Sequence, residues 1–479
     1  MWNKVLLINT NIWSNLLTDY FNIPPLGLEY IATYIKDLVI VDILDARNFR
    51  LNHKQVEKYI NKYKPDLVGL NCNFTCGIGA TLETAKIVKE RYDKECTVVL
   101  GGWHPTLTPD ECLKSPWVDA VVRGEGELTF RDIIKLERFN DVLGVSYKEN
   151  GKIIHNKDRP LIKNLDELLF PYREYRKFKK FQMYNIPFDS IETSRGCPYS
   201  CDFCCIHVFY RRTWRARSPI NIIKELYELK KLSNVEDILI VDDNFTINPI
   251  RVKKLCELLI KSNLNYHFIC QTSVDFIVKN PDIVKLMAKA GFWLFFIGIE
   301  SITEKGLQIV NKNSSVDKIY KAVKILRDYN ITTIGNVIIG ADLNETKQDI
   351  IRNIKNLRKL KVDFLTYSVL TPLPQTKLFE KLDKENLIIS KDWNKYNLET
   401  PVINTYKLSA NELKELLRIA NLDAMFHIPY KDLYNKVKNS RGLPFIIKTG
   451  IRASFDAIKM FTKGFILRNY LNNSNLLKI

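Results

Sequence analysis

The chain repeats one pattern, an apolar strand followed by an amphipathic helix, in two separate series. In residues 1–145 the strands read KVLLINTN, VIVDILDA, DLVGLNCNF, CTVVLGG and AVVRGEGE. Runs that are apolar almost throughout are typical of parallel strands buried on both faces, and their alternation with helices is typical of a doubly wound sheet. Such sheets bind ligands at the carboxyl ends of their strands. The first 145 residues are therefore predicted to form a Rossmann-like α/β domain.

The second series begins near residue 187. Its strands read DSIETS, DILIVDDNF, YHFICQTS, FWLFFIGIES, ITTIGNVIIG and VDFLTYSVL. Six strand–helix units predict a partial or full barrel over residues 187–400, with chemistry at the carboxyl-terminal mouth of the strands. Residues 146–186 contain a hairpin pattern and a basic, aromatic stretch, and are predicted to link the two domains. Residues 401–479 are predicted to be helical, basic and amphipathic.

Composition excludes several classes of protein. The chain has 479 residues, 46% of them hydrophobic, which supports a packed core and excludes a disordered protein. The longest apolar run, near residues 292–299, is far shorter than the roughly 20 residues of a membrane-spanning helix. The start, MWNKVLLINTN, is typical of a first strand and not of a signal peptide. A cytoplasmic location is expected, where ten cysteines favour metal or cluster binding over disulfides.

Four cysteines lie within nine positions, in the segment RGCPYSCDFCC that follows the first strand of the second series. Cys197, Cys201 and Cys204 have the spacing C-x3-C-x2-C. Three thiolates on one short loop can hold three irons of a cubane cluster, which leaves the fourth iron open to the amino and carboxylate groups of a small molecule. Structural zinc is the alternative and requires a fourth ligand, either Cys205 or His207. Cys205 is expected instead to be a small buried residue.

The segment CPYSCDFC, preceded by Arg195 and Gly196, resembles the signature of the radical S-adenosylmethionine (SAM) enzymes. The resemblance implies a (β/α)6 partial barrel and a [4Fe-4S] cluster on the three cysteines. In that family the reduced cluster passes one electron to SAM, which splits into methionine and a 5′-deoxyadenosyl radical that abstracts a hydrogen atom. It also implies an electron donor of the ferredoxin or flavodoxin type.

The same resemblance implies a set of SAM contacts at the strand ends: Phe203, Asp242, Asp243, Ser273, Glu300, Ser301 and Gly340. A strand-end turn is the alternative role for Asp242 and Asp243. Three loops depart from the family pattern. The loop after the fifth strand keeps only Glu345 and Thr346 of a Leu-Pro-Gly-Glu-Thr element, Gln375 replaces a glycine, and QTSVD lacks an arginine.

The amino-terminal loops PPLGLEYIATYI, VDILDA, GGWHPT and VVRGEGE resemble the cobalamin-binding domain that is joined to many radical SAM enzymes. The implied cobalamin contacts are Asn9, Thr10, Leu26, Asp45, Asn71, Thr75, Gly101, Gly102, His104, Gly124 and Glu125. None of the six histidines lies in the Asp-x-His-x-x-Gly pattern of the cobalamin mutases, so no histidine–cobalt bond is expected. His104 is expected to pack in a loop or against the corrin edge. A scaffold that has lost cobalamin is the alternative. No G-x-G-x-x-G follows the first strand, which disfavours NAD.

The charge of the chain is concentrated near its end. The formal net charge is +18, and residues 431–479 contain ten Lys or Arg and two Asp. Apolar residues recur there near helical spacing, at Ile447, Ile451, Phe455, Ile458 and Phe465. This pattern predicts a basic amphipathic helix that contacts an anionic membrane surface at the inner face. The alternative is that the apolar stripe packs on the barrel. No nucleic-acid-binding module is recognisable, and nucleic acid is not an expected partner.

The chain resembles the broad group that includes the anaerobic magnesium-protoporphyrin ester cyclase and the hopanoid- and tetraether-lipid-modifying enzymes. The resemblance implies methylation, or carbon–carbon bond and ring formation, at an unactivated C–H group. The basic amphipathic tail favours a membrane lipid or another apolar substrate. Two alternatives stay open: a radical SAM methyltransferase of a peptide, protein or small natural product, and a non-catalytic iron–sulfur redox or assembly protein.

Overall fold

A computed structural model describes residues 2–11, 21–176, 181–183, 186–312 and 314–428. The amphipathic helix expected in residues 431–479 lies outside these residues. Among the helices that are described, none combines the length and the apolarity needed to cross a membrane.

The amino-terminal half contains a seven-stranded sheet with the order β3-β1-β4-β5-β6-β7-β8. In chain order, the strands of this half are β1 (Lys4–Asn9), β2 (Phe21–Asn22), β3 (Ile40–Asp45), β4 (Leu67–Asn71), β5 (Thr97–Gly101), β6 (Ala120–Val122), β7 (Val145–Glu149) and β8 (Lys152–His155), and all of them except β2 belong to this sheet. Strands β1, β3, β4, β5 and β6 pair in parallel, whereas β2 belongs to the second sheet. The helices are α1 (Leu26–Ile35), α2 (His53–Tyr63), α3 (Ile78–Ile87), α4 (Trp103–Leu107), α5 (Pro109–Lys114) and α6 (Gly126–Leu136). Single turns cover Thr75–Gly77 and Val88–Tyr92.

Both faces of this sheet are buried, which explains the almost unbroken apolar runs in its strands. Leu6 and Ile8 of β1 pack in one core cluster with residues of α2 and α3. Val5 and Leu7 pack in a second cluster with residues of α1 and α6. Since successive side chains of a strand point to opposite faces, both clusters grow from the same short sequence. The predicted Rossmann-like domain is confirmed.

The hairpin that the sequence placed in the linker is part of this sheet. Strands β7 and β8 pair antiparallel, and β7 also pairs with β6. Asn150 and Gly151 form the turn between them with φ angles of 50° and 75°, as in the tight turns that suit hairpins. The domain boundaries at residues 145, 186 and 400 stay predictions.

The second half contains an eight-stranded sheet with the order β17-β16-β15-β14-β13-β10-β9-β2. Its strands, with the two-stranded ribbon β11–β12, are β9 (Gln182–Met183), β10 (Ile186–Ile191), β11 (Ser194–Arg195), β12 (Arg215–Ala216), β13 (Asp237–Ile240), β14 (His267–Thr272), β15 (Phe292–Glu300), β16 (Thr332–Ile339) and β17 (Phe364–Val369). The sequence predicted six of these strands, which are β10 and β13 to β17. They pair in parallel and in chain order. In the part of the chain that the structure describes, β17 is an edge strand, so the barrel is partial and open, as the resemblance implies.

Helices follow the barrel strands, and all of them except the first contribute residues to the core on the outer face of the sheet. They are α7 (Ile206–Phe209), α8 (Pro219–Leu232), α9 (Pro249–Lys261), α10 (Val274–Lys279), α11 (Pro281–Lys289), α12 (Glu304–Ile309), α13 (Val316–Asp328), α14 (Lys347–Leu357), α15 (Lys377–Lys384) and α16 (Ala410–Phe426). Side-chain caps fix several helix starts. Ser218 accepts a hydrogen bond from the Asn221 amide, and Ser409 forms a capping box with Glu412. Single helical turns cover Leu165–Glu167, Arg173–Tyr175, Arg358–Leu360 and Trp393–Lys395.

The inner face of the barrel strands is apolar and separate from the core under the helices. Its buried residues form their own cluster: Phe188, Leu239, Ile269, Leu294 and Ile334. Partly buried apolar residues pack against this cluster, among them Val241, Trp293, Phe296 and Phe364. Leu239 and Val241 of this apolar wall also border a cavity.

Candidate active site

One cavity of about 500 Å³ joins the two domains. Asn9, Asn71 and Gly101 line it from the carboxyl ends of the first sheet, and Leu239 and Gln271 line it from the second. The carboxyl ends of both parallel sheets thus face a common space, which is the position expected for ligands in each fold.

Most of the residues predicted to bind cobalamin border this cavity: Asn9, Thr10, Leu26, Asn71, Gly101, Gly102, Gly124 and Glu125. Gly102 has a φ of 105°, and a Cβ there would lie 2.7 Å from Asn73 Oδ1 and 2.8 Å from the carbonyl oxygen of Cys72. Only glycine fits this backbone. The cavity also reaches apolar residues between the sheet and helices α1 and α6, including Leu28, Val99 and Phe130. A glycine cradle, strand-end amides and an apolar slot fit a large ligand such as cobalamin.

The structure places the other three predicted cobalamin contacts, Asp45, Thr75 and His104, outside the lining of this cavity. Asp45 accepts a hydrogen bond from Asn9 Nδ2 at 2.8 Å, and burial raises the pKa of its carboxyl. Thr75 begins the single turn Thr75–Gly77. His104 Nε2 lies 3.1 Å from Thr108 Oγ1, and its ring packs edge-on against Trp393. His104 thus lies in α4 and packs against Trp393 and Thr108.

Burial of His104 predicts a pH-dependent stability. Desolvation lowers its pKa from 6.5 to about 4, so the unfolded chain binds a proton that the folded chain excludes. Above pH 6.5 His104 is neutral in both states and the free energy of unfolding keeps its full value. As the pH falls from 6.5 towards 4 the unfolded state is protonated first, so the free energy of unfolding decreases. Between pH 7 and pH 5 the free energy of unfolding is expected to decrease by about 2 kcal/mol because of His104. Chemical denaturation of the wild type and of His104→Gln measures this difference; equal pH slopes would contradict it.

The cysteine loop lies where the two domains meet. Cys197 and Cys204 pack against Ile206 and Phe209 of α7, together with Trp103 of the first domain. The Cys204 amide donates to the carbonyl of Cys201 at 3.0 Å, which curls the loop. The loop is also tied to the barrel, because the Asn311 side-chain amide donates to the carbonyl of Ser200 at 2.9 Å.

The environment of the thiols fits a metal cluster. Cys197, Cys201 and Cys204 are partly buried, and this burial raises the pKa of each thiol, so a cationic partner such as iron would stabilise their thiolates. Among the described residues, no three His, Cys, Asp or Glu side chains are arranged to hold a single metal ion.

Lys312 is a residue near the cysteines that the sequence did not single out. Its Nζ donates to Glu300 Oε1 at 2.8 Å, and its charge opposes the increase in the pKa of Cys201. A Cβ on Gly298 would lie 2.2 Å from Glu300 Oε1 and 2.5 Å from Lys312 Nζ, so this glycine leaves room for the pair. Lys312 lies twelve residues after Glu300, and the sequence around it does not indicate that the two side chains form an ion pair.

Asp242 and Asp243 have different surroundings. Asp242 is buried, and its carboxylate accepts from the Thr193 amide at 2.6 Å, from Thr193 Oγ1 at 2.5 Å and from Ser194 Oγ at 2.5 Å. Three donors already occupy it, as in the strand-end role. Asp243 borders the cavity and accepts from the Gly196 amide at 3.3 Å. Burial, with the nearby Asp242 and Glu192 charges, raises the pKa of Asp243 to about 7.

The remaining predicted SAM contacts lie along the barrel mouth and outside the lining of the cavity. Ser273 caps α10 by accepting from the Phe276 amide, and Ser301 Oγ accepts from the Thr303 amide. Glu300 pairs with Lys312, and Phe203 packs against the barrel core. Gly340 has a φ of 80° at the end of β16. Their contacts with SAM stay predictions.

Replacing Asp242 with asparagine is expected to destabilise the fold. Asparagine can keep its oxygen on the Thr193 amide, but its NH2 then faces the Thr193 and Ser194 hydroxyls, which lose their charged acceptor and must rotate to accept. The loss is expected to be about 1–3 kcal/mol of unfolding free energy. Thermal and chemical unfolding measure it, and Asp202→Asn, in the cysteine loop, is the comparison. Unchanged stability together with weaker SAM binding would instead support a direct SAM contact.

Two family models match the chain. The radical SAM superfamily model matches residues 191–347, and the B12-binding domain model matches residues 13–134. The chain is 32% identical to an uncharacterized methyltransferase, PH0819, of Pyrococcus horikoshii, over 90% of this chain and 93% of that protein. It is 30% identical to the anaerobic magnesium-protoporphyrin IX monomethyl ester cyclase of Rubrivivax gelatinosus, over 86% and 75% of the two chains. It is 27% identical to the hopanoid C-3 methylase of Methylococcus capsulatus, over 81% and 73%.

Solved structures agree on the fold. The cobalamin-dependent SAM radical enzyme OxsB, with aqua-cobalamin and SAM bound, superposes with a TM-score of 0.70 at 20% identity, covering 88% of this chain and 66% of that one. The chain belongs to the cobalamin-dependent radical SAM methyltransferase and cyclase family, whose enzymes use a [4Fe-4S] cluster, SAM and cobalamin.

Proposed function

We propose that the protein methylates an unactivated C–H group, or closes a carbon–carbon bond there, on a membrane lipid or another apolar substrate. The observation that carries the proposal is the shared cavity, since residues at the strand ends of the B12-binding domain and of the barrel border one space. A reaction that needs both cofactors at one substrate requires this arrangement.

When bound, the cofactors supply a 5′-deoxyadenosyl radical from SAM and a methyl donor or radical acceptor on cobalamin. The protein's own residues hold and enclose them. Cys197, Cys201 and Cys204 would hold the cluster, and the strand-end amides of Asn9 and Asn71 would meet cobalamin. Residues of both domains border the cavity, and exclusion of bulk water from such a site would limit the side reactions of a radical.

The apolar inner wall of the barrel supports the substrate class. Leu239 and Val241 of this wall border the shared cavity. An apolar wall favours a hydrocarbon-rich substrate, because burying a charged one beside it would be costly. The similarity to a hopanoid methylase agrees in kind with this class.

The proposal includes two partners. An electron donor of the ferredoxin or flavodoxin type would reduce the cluster. Residues 431–479 would contact the inner face of the membrane through their basic amphipathic pattern. Flotation of the full chain with anionic and with neutral vesicles tests the membrane contact. If the floating fraction contains as much protein without vesicles as with them, the membrane contact is contradicted.

Mass spectrometry of lipid extracts tests the substrate class. Strains that lack the gene, carry it, or carry the Cys201→Ala variant are compared under confirmed expression. Lipids that gain a methylene mass only with the active gene would indicate methylation, and lipids that lose two hydrogens would indicate ring closure, cross-linking or desaturation. No lipid change would remove the lipid proposal and favour a peptide, protein or soluble natural product as the substrate.

A further inference from the structure

A buried ionic cluster joins the two domains directly before the cysteine loop. Arg195 is 4% exposed, and each of its guanidinium nitrogens has a carboxylate partner. Its Nε donates to Glu192 at 2.8 Å, its Nη1 to Glu125 at 3.0 Å and its Nη2 to Glu127 at 2.5 Å. Glu192 belongs to the barrel half of the chain, whereas Glu125 and Glu127 lie in the segment matched as the B12-binding domain.

One end of this ionic cluster lies next to the cysteine loop, and the other end lies next to the cavity. Arg195 lies two residues before Cys197, in the ribbon β11–β12. Glu125 immediately precedes α6 in the loop that also contains Gly124, which borders the cavity. Glu125 is bound further by Arg215 Nη1 of the same ribbon at 2.9 Å and by the Ile162 amide at 2.7 Å. These three donors occupy the Glu125 carboxylate, which the sequence had assigned to cobalamin.

The chemistry of the cluster suits a rigid connection. A guanidinium group is planar and presents its donors in a fixed fork, so three carboxylates determine its position and orientation. A lysine in the same place would keep the charge but bind as a single point. Arg195, Glu125, Glu127 and Glu192 also border the shared cavity. The connection therefore borders the cavity and directly precedes the cysteine loop.

We propose that Arg195, through Glu125 and Glu127, is a positioning residue that fixes the separation between the cobalamin and the iron–sulfur cluster. The inference rests on the cofactors of the proposed function and not on its substrate. Arg195 acts through the two loops that it ties together.

Arg195→Lys is the test variant, and Arg173→Lys is its matched control. Arg173 is similarly buried and donates to Glu225 of α8 at 2.6 Å, but Glu225 lies within the barrel half and not in the B12-binding segment. Each full-length protein is loaded anaerobically with cluster and cobalamin, and iron and cobalt contents are measured. Pulsed electron paramagnetic resonance then gives the distance distribution between cob(II)alamin and the reduced cluster, without any substrate.

The expected result for Arg195→Lys is a distance distribution that shifts or broadens by roughly 1 Å, a displacement that can cost about 100-fold in catalysis. The control is expected to keep the wild-type distribution. A wild-type distribution in Arg195→Lys would overturn the proposal. If that variant does not fold, Glu127→Gln decides in the same way, because it weakens one contact and leaves Glu125 in place. Since no substrate is used, failure here is distinct from failure of the lipid proposal.

Discussion

Replacing Cys201 with alanine is expected to abolish the iron–sulfur cluster and, with it, the cleavage of SAM. The three cysteines lie on one short loop, and burial raises the pKa of each thiol. Two thiolates cannot hold a cubane that already lacks a fourth protein ligand. After anaerobic reconstitution, visible absorbance and iron content are expected to fall to background, and 5′-deoxyadenosine to be undetectable.

Cys205→Ala is the matched control for this experiment. Cys205 is the adjacent thiol, is buried and lies at the start of α7. We expect this variant to keep its cluster and its SAM cleavage. A cluster that survives in Cys201→Ala but is lost in Cys205→Ala would mean that the ligands are assigned wrongly.

Gly196→Ala is expected to have the second largest effect, although it changes no ligand. Gly196 has a φ of 86°, and a Cβ there would lie 2.3 Å from the carbonyl oxygen of Thr213 and 3.0 Å from Tyr210 Cβ. The left-handed backbone alone costs about 1–2 kcal/mol for alanine, and the overlap with a carbonyl requires the ribbon or the cysteine loop to move. We expect a lower melting temperature and a large loss of bound iron.

Gly151→Ala separates backbone strain from displacement of the loop. Gly151 has a similar φ of 75°, but nothing lies within 4 Å of its Cβ position in the β7–β8 turn. Its variant is expected to lose about 1–2 kcal/mol of stability and to keep its iron. Equal iron contents in the two variants would show that Gly196 has no special role in seating the cluster.

The sequence was sufficient for the fold because its signals are local. Each parallel strand is a short apolar run, and each helix has an apolar stripe. Both patterns are complete within the residues of the element itself. The cysteine spacing is local too, as are the glycine turns at Gly102 and Gly124. The hairpin of β7 and β8 was predicted, but the pairing of β7 with β6 was not, because a strand that joins the edge of a sheet carries no local sequence signal for its partner.

The contacts that hold the site together could not be predicted, because their partners are distant in the chain. Arg195 and Glu127 are 68 residues apart. Gln375, noted only as a departure from the family pattern, donates to the carbonyl of Leu107 across 268 residues. The role of Asp242 likewise depends on Thr193 and Ser194, 49 and 48 residues away. A single sequence gives the residue types but not which of them meet.

We expect this chain to generate radicals from SAM at a cluster that faces cobalamin. The most direct test is to reduce the full-length protein, reconstituted with iron, sulfide and hydroxocobalamin, in the presence of SAM and to measure 5′-deoxyadenosine. We predict 5′-deoxyadenosine that depends on reductant and is absent in Cys201→Ala. A protein with a complete, reduced cluster that leaves SAM intact would contradict the account and favour a redox or assembly role.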